Sequence, residues 1–181
     1  MSYVAAFSRS LIFLIFLAAV LGKLRDRRRF GEFVASVAAL RLVPASLVGP
    51  VAVAVAGAEV AVCALLLALP VPGLTAGGLG LAAALLTGFS AAIATALSRG
   101  VTASCRCFGG DLSAPFGRRH VVRNATLALV GVAGAGAVLW QPATDLPALA
   151  ITAPFALLAA ALTVRLDDVV EVFRPLSVPG R

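Results

Sequence analysis

Apolar residues run along this chain in five long blocks instead of alternating with polar ones. The blocks are roughly Tyr3–Gly22, Ala45–Leu69, Ala76–Ser98, Val121–Trp140 and Pro147–Val164. A helix rises about 1.5 Å per residue, so about 20 residues cross a hydrocarbon core of about 30 Å. An isolated strand would leave its backbone groups unsatisfied in lipid, so each block is predicted to be helical. The fifth block is weaker, being diluted by Thr152 and Thr163 and interrupted by Pro154. Pro50, inside the second, predicts a kink or a late helix start. The pattern predicts an all-α integral membrane fold, a four-helix transmembrane bundle plus a fifth C-terminal transmembrane helix. The corresponding segments are a core over 1–140, the fifth helix over 141–166 and a polar tail over 167–181.

Between the first two blocks the period changes. Phe30, Phe33, Val34, Val37 and Leu40 fall on one helical face, directly after Arg27, Arg28 and Arg29. That arrangement predicts a short amphipathic helix over Phe30–Leu42, lying in the membrane interface. Small residues recur inside the spans: Gly57-Ala58 in the second, Gly77, Gly78 and Gly80 in the third, Gly131, Gly134 and Gly136 in the fourth. In lipid, such faces let helices approach closely.

Composition sharpens this picture. Of 181 residues, 61% are hydrophobic and 13% charged, about half the usual charged share. The mean hydropathy is +1.03, so the bilayer is the solvent and membrane lipid the first partner. A net charge of +7 raises the question of nucleic acid. The basic residues sit in short clusters between apolar runs, however, where they set topology and meet anionic headgroups; nucleic acid is not expected as a partner. The first block is followed by Gly22-Lys23-Leu24-Arg25-Asp26 and not by a small-residue cleavage site, so it reads as a retained helix.

Charge also gives an orientation. Lys23, Arg25, Arg27, Arg28, Arg29 and Arg41 fill the first connection, and Arg99, Arg106, Arg118, Arg119 and Arg123 the third. The tail carries Arg165, Arg174 and Arg181, whereas the second connection has no charge and the fourth has only Asp145. The positive-inside rule then predicts an N-terminus outside the cell membrane and the third connection in the cytoplasm.

Two charges, Arg9 and Glu59, lie within apolar blocks and not at their ends. Counted from Lys23 and Pro44 as inner ends, both lie about 21–22 Å into the membrane on adjacent antiparallel helices. An unpaired charge there would cost several kcal/mol, so the two are predicted to meet. Such a pair is either a structural clamp or a polar site for a quinone or a proton relay. A third outcome has Arg9 snorkelling to the outer surface.

The third connection contains Cys105-Arg106-Cys107, then Phe108-Gly109-Gly110. Thiolates are the nucleophiles of thiol chemistry, and nearby cations favour them. Arg106, Arg99, Arg118 and Arg119 are therefore candidate thiolate-activating residues, and Cys105 and Cys107 the candidate catalytic pair. A Cys-X-Cys disulfide closes a small strained ring, suited to exchange more than to structure. Metal ligation with His120 would supply only three ligands. Unreactive loop cysteines, or cysteines lipidated at the membrane face, stay open beside these readings. Cys63, four residues after Glu59, reads as a small packing residue.

At these residues the chain resembles the MauE/DoxX family of redox-associated membrane proteins, in particular the methylamine-utilisation MauE branch. The resemblance rests on Gly22-Lys23-Leu24-Arg25-Asp26, Phe33, Pro44, Glu59, Arg99-Gly100, Cys105-Arg106-Cys107-Phe108-Gly109 and Arg123-Asn124, in that order. It implies a four-helix membrane core over about 7–140. It also implies a role in forming or transferring disulfides in exported proteins with a thioredoxin-like partner, with Cys105 and Cys107 as the redox pair. That role would place the thiols outside, against the charge pattern. The reading is thus an integral membrane thiol–disulfide redox protein, a subunit of an oxidoreductase, with no cofactor evident beyond a quinone for the polar site. The alternative is a non-catalytic scaffold or small-solute carrier using Arg9 and Glu59.

Overall fold

A computed structural model describes residues 2–68, 71–100, 118–141 and 146–165, with only the backbone of Arg118. These residues form six helices and no strand: α1 (Ser2–Leu24), α2 (Arg27–Ala39), α3 (Ala45–Leu67), α4 (Pro72–Ser98), α5 (Arg118–Trp140) and α6 (Leu146–Val164). All but α2 are long and apolar enough to cross a membrane. The protein is an all-α, multi-pass membrane protein with five candidate spans. Pro50 and Pro154 both lie inside continuous helices, and both are exposed. The second span therefore starts at Ala45, ahead of Pro50, and not late.

The core is a stripe on each helix. On α1 it runs through Ser8, Ile12, Ile15, Phe16, Ala19 and Lys23, and on α3 through Val48, Ala52, Ala56, Glu59, Val62 and Leu66. Each set follows the three-to-four residue helical repeat. The opposite faces carry Val53, Leu67, Leu129, Val132, Leu139, Phe155 and Leu158, all more than half exposed and available to lipid. The chain's only Tyr and Trp, Tyr3 and Trp140, are exposed at the N-terminus of α1 and the C-terminus of α5, which share one end of the bundle. Exposed Arg25, Arg27, Arg28, Arg41 and Arg99 mark the other. Tyr and Trp favour membrane–water interfaces, and clustered arginines favour the connections at one side of a membrane.

Glycine sets the closest approaches. A Cβ on Gly134 would stand 2.5 Å from the Ser8 Cβ and 3.2 Å from Leu79 Cδ1, and one on Gly131 would lie 3.2 Å from the Leu79 carbonyl oxygen. Gly78 is as tight against Leu65 and Leu66. α5 is thereby seated between α1 and α4, and α4 against α3. α6 packs on α1.

The amphipathic segment forms α2, starting at Arg27 instead of Phe30. Asp26 accepts the Arg29 backbone N–H at 2.8 Å as an N-cap, which brings the three arginines into the first turn. The predicted face is the one that packs. Phe33 is 5% exposed, with Phe30, Val34, Val37 and Leu40 half-buried. The helix contacts α1 and α3, so α2 packs onto the bundle.

Gly134→Ala should therefore overpack the α1–α4–α5 seam and lower stability by about 1–3 kcal/mol. Gly136→Ala, whose Cβ would meet nothing within 4 Å, should be neutral. Thermal unfolding of both variants in one detergent checks the contrast.

Candidate functional site: a polar cavity at the arginine-rich end

Glu59 does pair inside the membrane, but not with Arg9. Lys23 Nζ donates to Glu59 Oε1 at 2.5 Å, and both side chains are nearly sealed from solvent, at 3% and 2% exposure. Arg9 instead donates from Nε and Nη2 to the Leu66 carbonyl, at 2.8 and 2.5 Å. The reason lies in the axial register. Counting depth from Lys23 and Pro44 treats those residues as level. Because α2 occupies the space below α1, the first turns of α3 run past the end of α1. The 14 residues from Ala45 to Glu59 rise about 21 Å, and that rise brings Glu59 to the level of Lys23.

Each cation also has a local reason for its place. The last four carbonyls of a helix lack intrahelical donors and carry partial negative charge. Leu66 is the second-last residue of α3, so its carbonyl suits a guanidinium. Lys23 lies in the last turn of α1, where that dipole favours a cation. Its ammonium also lies 4.6 Å from the centroid of the Phe33 ring and 5.8 Å from that of Phe89, within cation–π range. Lys23 is therefore an interior residue and not one of the loop charges.

The ion pair forms part of the wall of a cavity of about 450 Å³. Most of the lining is apolar, from Ile15, Phe16 and Ala19 of α1 to Leu85, Gly88 and Phe89 of α4. Its polar groups are Lys23, Glu59, Ser36, His120, Arg123 and Asn124. Ser36 donates to the Phe33 carbonyl at 2.7 Å. His120 and Asn124 are 5% and 6% exposed, on the inward stripe of α5. Glu59 Oε2 is buried and accepts no hydrogen bond among the described residues. No group of three His, Cys, Asp or Glu residues suited to a metal occurs among those residues.

The candidate thiol residues divide sharply. Cys105, Arg106 and Cys107 lie outside the described residues, as does the Arg118 side chain. Arg99 is the exposed C-cap of α4, and Arg119 is half-buried in the first turn of α5. Gly100, at φ 70°, closes α4 in the left-handed region that glycine adopts without a Cβ penalty. Cys63 is half-buried and packs against the main core cluster.

Sequence reasoning missed Lys23, His120, Arg123 and Asn124 as site residues. The signal for Lys23 was present: it extends the stripe Ile12, Ile15, Phe16, Ala19 by one helical step, so it points inward.

Glu59→Ala should strand a buried ammonium and cost about 3–5 kcal/mol, whereas Lys23→Met with Glu59→Met should recover most of that loss. Membrane abundance and thermal unfolding of the three proteins check this ordering. Arg9→Ala, which frees one carbonyl but buries no unpaired charge, should cost less, about 1.5–3 kcal/mol.

No curated protein and no solved structure matches the chain. The sequence profile of the methylamine utilisation protein MauE does, over residues 1–141. That span takes in α1 to α5, the loop with both thiols and all the polar lining of the cavity, and it stops before α6. The match is to MauE itself and does not extend to DoxX. With more than three quarters of its length matched, the chain belongs to the MauE family of multi-pass membrane proteins of methylamine utilisation.

Proposed function

We propose that the protein is a membrane thiol–disulfide redox subunit in which Cys105 and Cys107 exchange with a thioredoxin-like partner. The observation that carries this reading is the Cys-X-Cys motif itself, inside the matched span and between arginines. Membership of a family tied to methylamine utilisation supports a membrane role but leaves the chemistry to those residues.

The exchange balances without a further reactant. A partner thiolate attacks one sulfur of the Cys105–Cys107 disulfide, and the other cysteine leaves as a thiolate. The second partner thiol, once deprotonated, attacks the mixed disulfide, so the partner leaves oxidised and both cysteines are reduced. The reverse sequence reduces the partner. Arg106, Arg99, Arg118 and Arg119 favour the thiolate forms electrostatically. By the positive-inside pattern the pair faces the cytoplasm and serves a partner there, or passes reducing equivalents across the membrane. A scaffold or solute carrier built on Arg9 and Glu59 has no shared site to work from, since each holds a different partner.

Cys105→Ser and Cys107→Ser should each reduce methylamine-dependent growth to background at normal membrane abundance, and one of them should accumulate a mixed disulfide with the partner. Full growth in the double variant sinks the proposal. A membrane-impermeant maleimide should leave both thiols unlabelled in intact cells after mild reduction; labelling reverses the orientation.

A further inference from the structure

We infer that the cavity between α1, α2, α3, α4 and α5 binds the ring of a lipid-soluble quinone, with Lys23 and Glu59 as its hydrogen-bonding partners. A cavity of about 450 Å³ falls within the range of about 300–1,000 Å³ usual for small-molecule sites, and its largely apolar wall suits a ligand that arrives through lipid. An acyl chain would fill such a space but would leave the polar wall unused.

Two features of that wall call for a ligand with oxygen at its head. Lys23 carries three N–H donors, of which one goes to Glu59 Oε1. Glu59 Oε2 is buried in the same wall and accepts nothing among the described residues. A donor and an acceptor thus stand side by side in a largely apolar wall. A quinone carbonyl accepts from Lys23; a quinol hydroxyl accepts from Lys23 and donates to Glu59 Oε2. The pair therefore serves both oxidation states of one ring, as neither an acyl chain nor a hydrocarbon ring could be served. Phe33 and Phe89, which flank the ammonium, add aromatic surface for the ring to pack on.

Used as an oxidant, the quinone would take two electrons and two protons to become quinol. Two thiols would give up the same two electrons and two protons to become a disulfide. That use rests on the thiol reading above, but the binding does not.

The test uses the full chain in lipid nanodiscs with Cys105→Ser and Cys107→Ser already introduced, so that labelling is independent of the thiols. An azidoquinone photolabel, mapped by mass spectrometry, should mark α2 and α4 near Phe33 and Phe89 and be displaced by decylubiquinone. The further pair Lys23→Met and Glu59→Met should weaken decylubiquinone displacement at least about tenfold, as expected for lost hydrogen bonds to charged groups. Gly88→Leu should weaken it similarly by filling the cavity, because a Cβ at Gly88 meets nothing within 4 Å. Displacement unchanged in both variants overturns the site. Equal displacement by n-dodecane assigns the cavity to acyl chains and also overturns it. If the Met pair does not accumulate, Gly88→Leu and the dodecane competition decide. Intact labelling in a Cys105→Ser/Cys107→Ser protein that has lost growth support upholds both readings; intact labelling with growth retained removes the thiol reading alone.

Discussion

A lysine and a glutamate buried against each other at the end of α1 govern how this bundle is arranged. Taking either charge alone into a low-dielectric interior would cost several kcal/mol, so neither helix can be packed as it is without the other. The pair fixes the level at which α3 passes α1, and that level leaves room for α2 to fold beneath. α2 in turn brings Phe33 against the ammonium. The cavity is what remains between the ion pair, α2 and the inward stripes of α4 and α5.

The rest of the packing is steric. Lipid supplies no hydrophobic force between helices, so close contact has to be won through small side chains and well-placed polar bonds. Gly78, Gly131 and Gly134 supply the first at the α3–α4 and α4–α5 seams and beside Ser8. Arg9 on the Leu66 carbonyl supplies the second. α6 follows a different logic: it lies on the flank of α1, outside the region matched to MauE, and adds a candidate span that contributes no residue to the cavity lining.

Much of this was legible in the sequence. Block length and hydropathy located all five spans to within a few residues, and periodicity identified the packed face of α2. The intramembrane charges stand out in the sequence, but their partners do not. Counting depth from Lys23 and Pro44 treats them as level, and a sequence does not say that a short helix will occupy the space below one span and let the next begin lower. Lys23 adjoins the arginines in sequence, although its place on the Ile12–Ala19 stripe points inward. His120 and Asn124 share an inward stripe with Leu127, Gly131 and Gly134, but a period alone does not distinguish a cavity lining from a packed core. Lys23, Phe33, Glu59, Arg123 and Asn124, all residues on which the likeness to MauE rests, meet around one space although they are spread from α1 to α5.

The two cations of α1 have a mechanical meaning that neither has alone. Arg9 and Lys23 are 14 residues apart, a rise of about 21 Å, yet they hold points on α3 only seven residues apart, a rise of about 10 Å. The side chains and their partners between them take up that difference of about 10 Å. A slide of α3 in one direction stretches one tether, and a slide in the other stretches its counterpart. One helical turn of slip, about 5.4 Å, is more than either can follow. α1 and α3 thus behave as a single ratchet-proof strut, and any breathing that admits a guest must come from α2, α4 or α5.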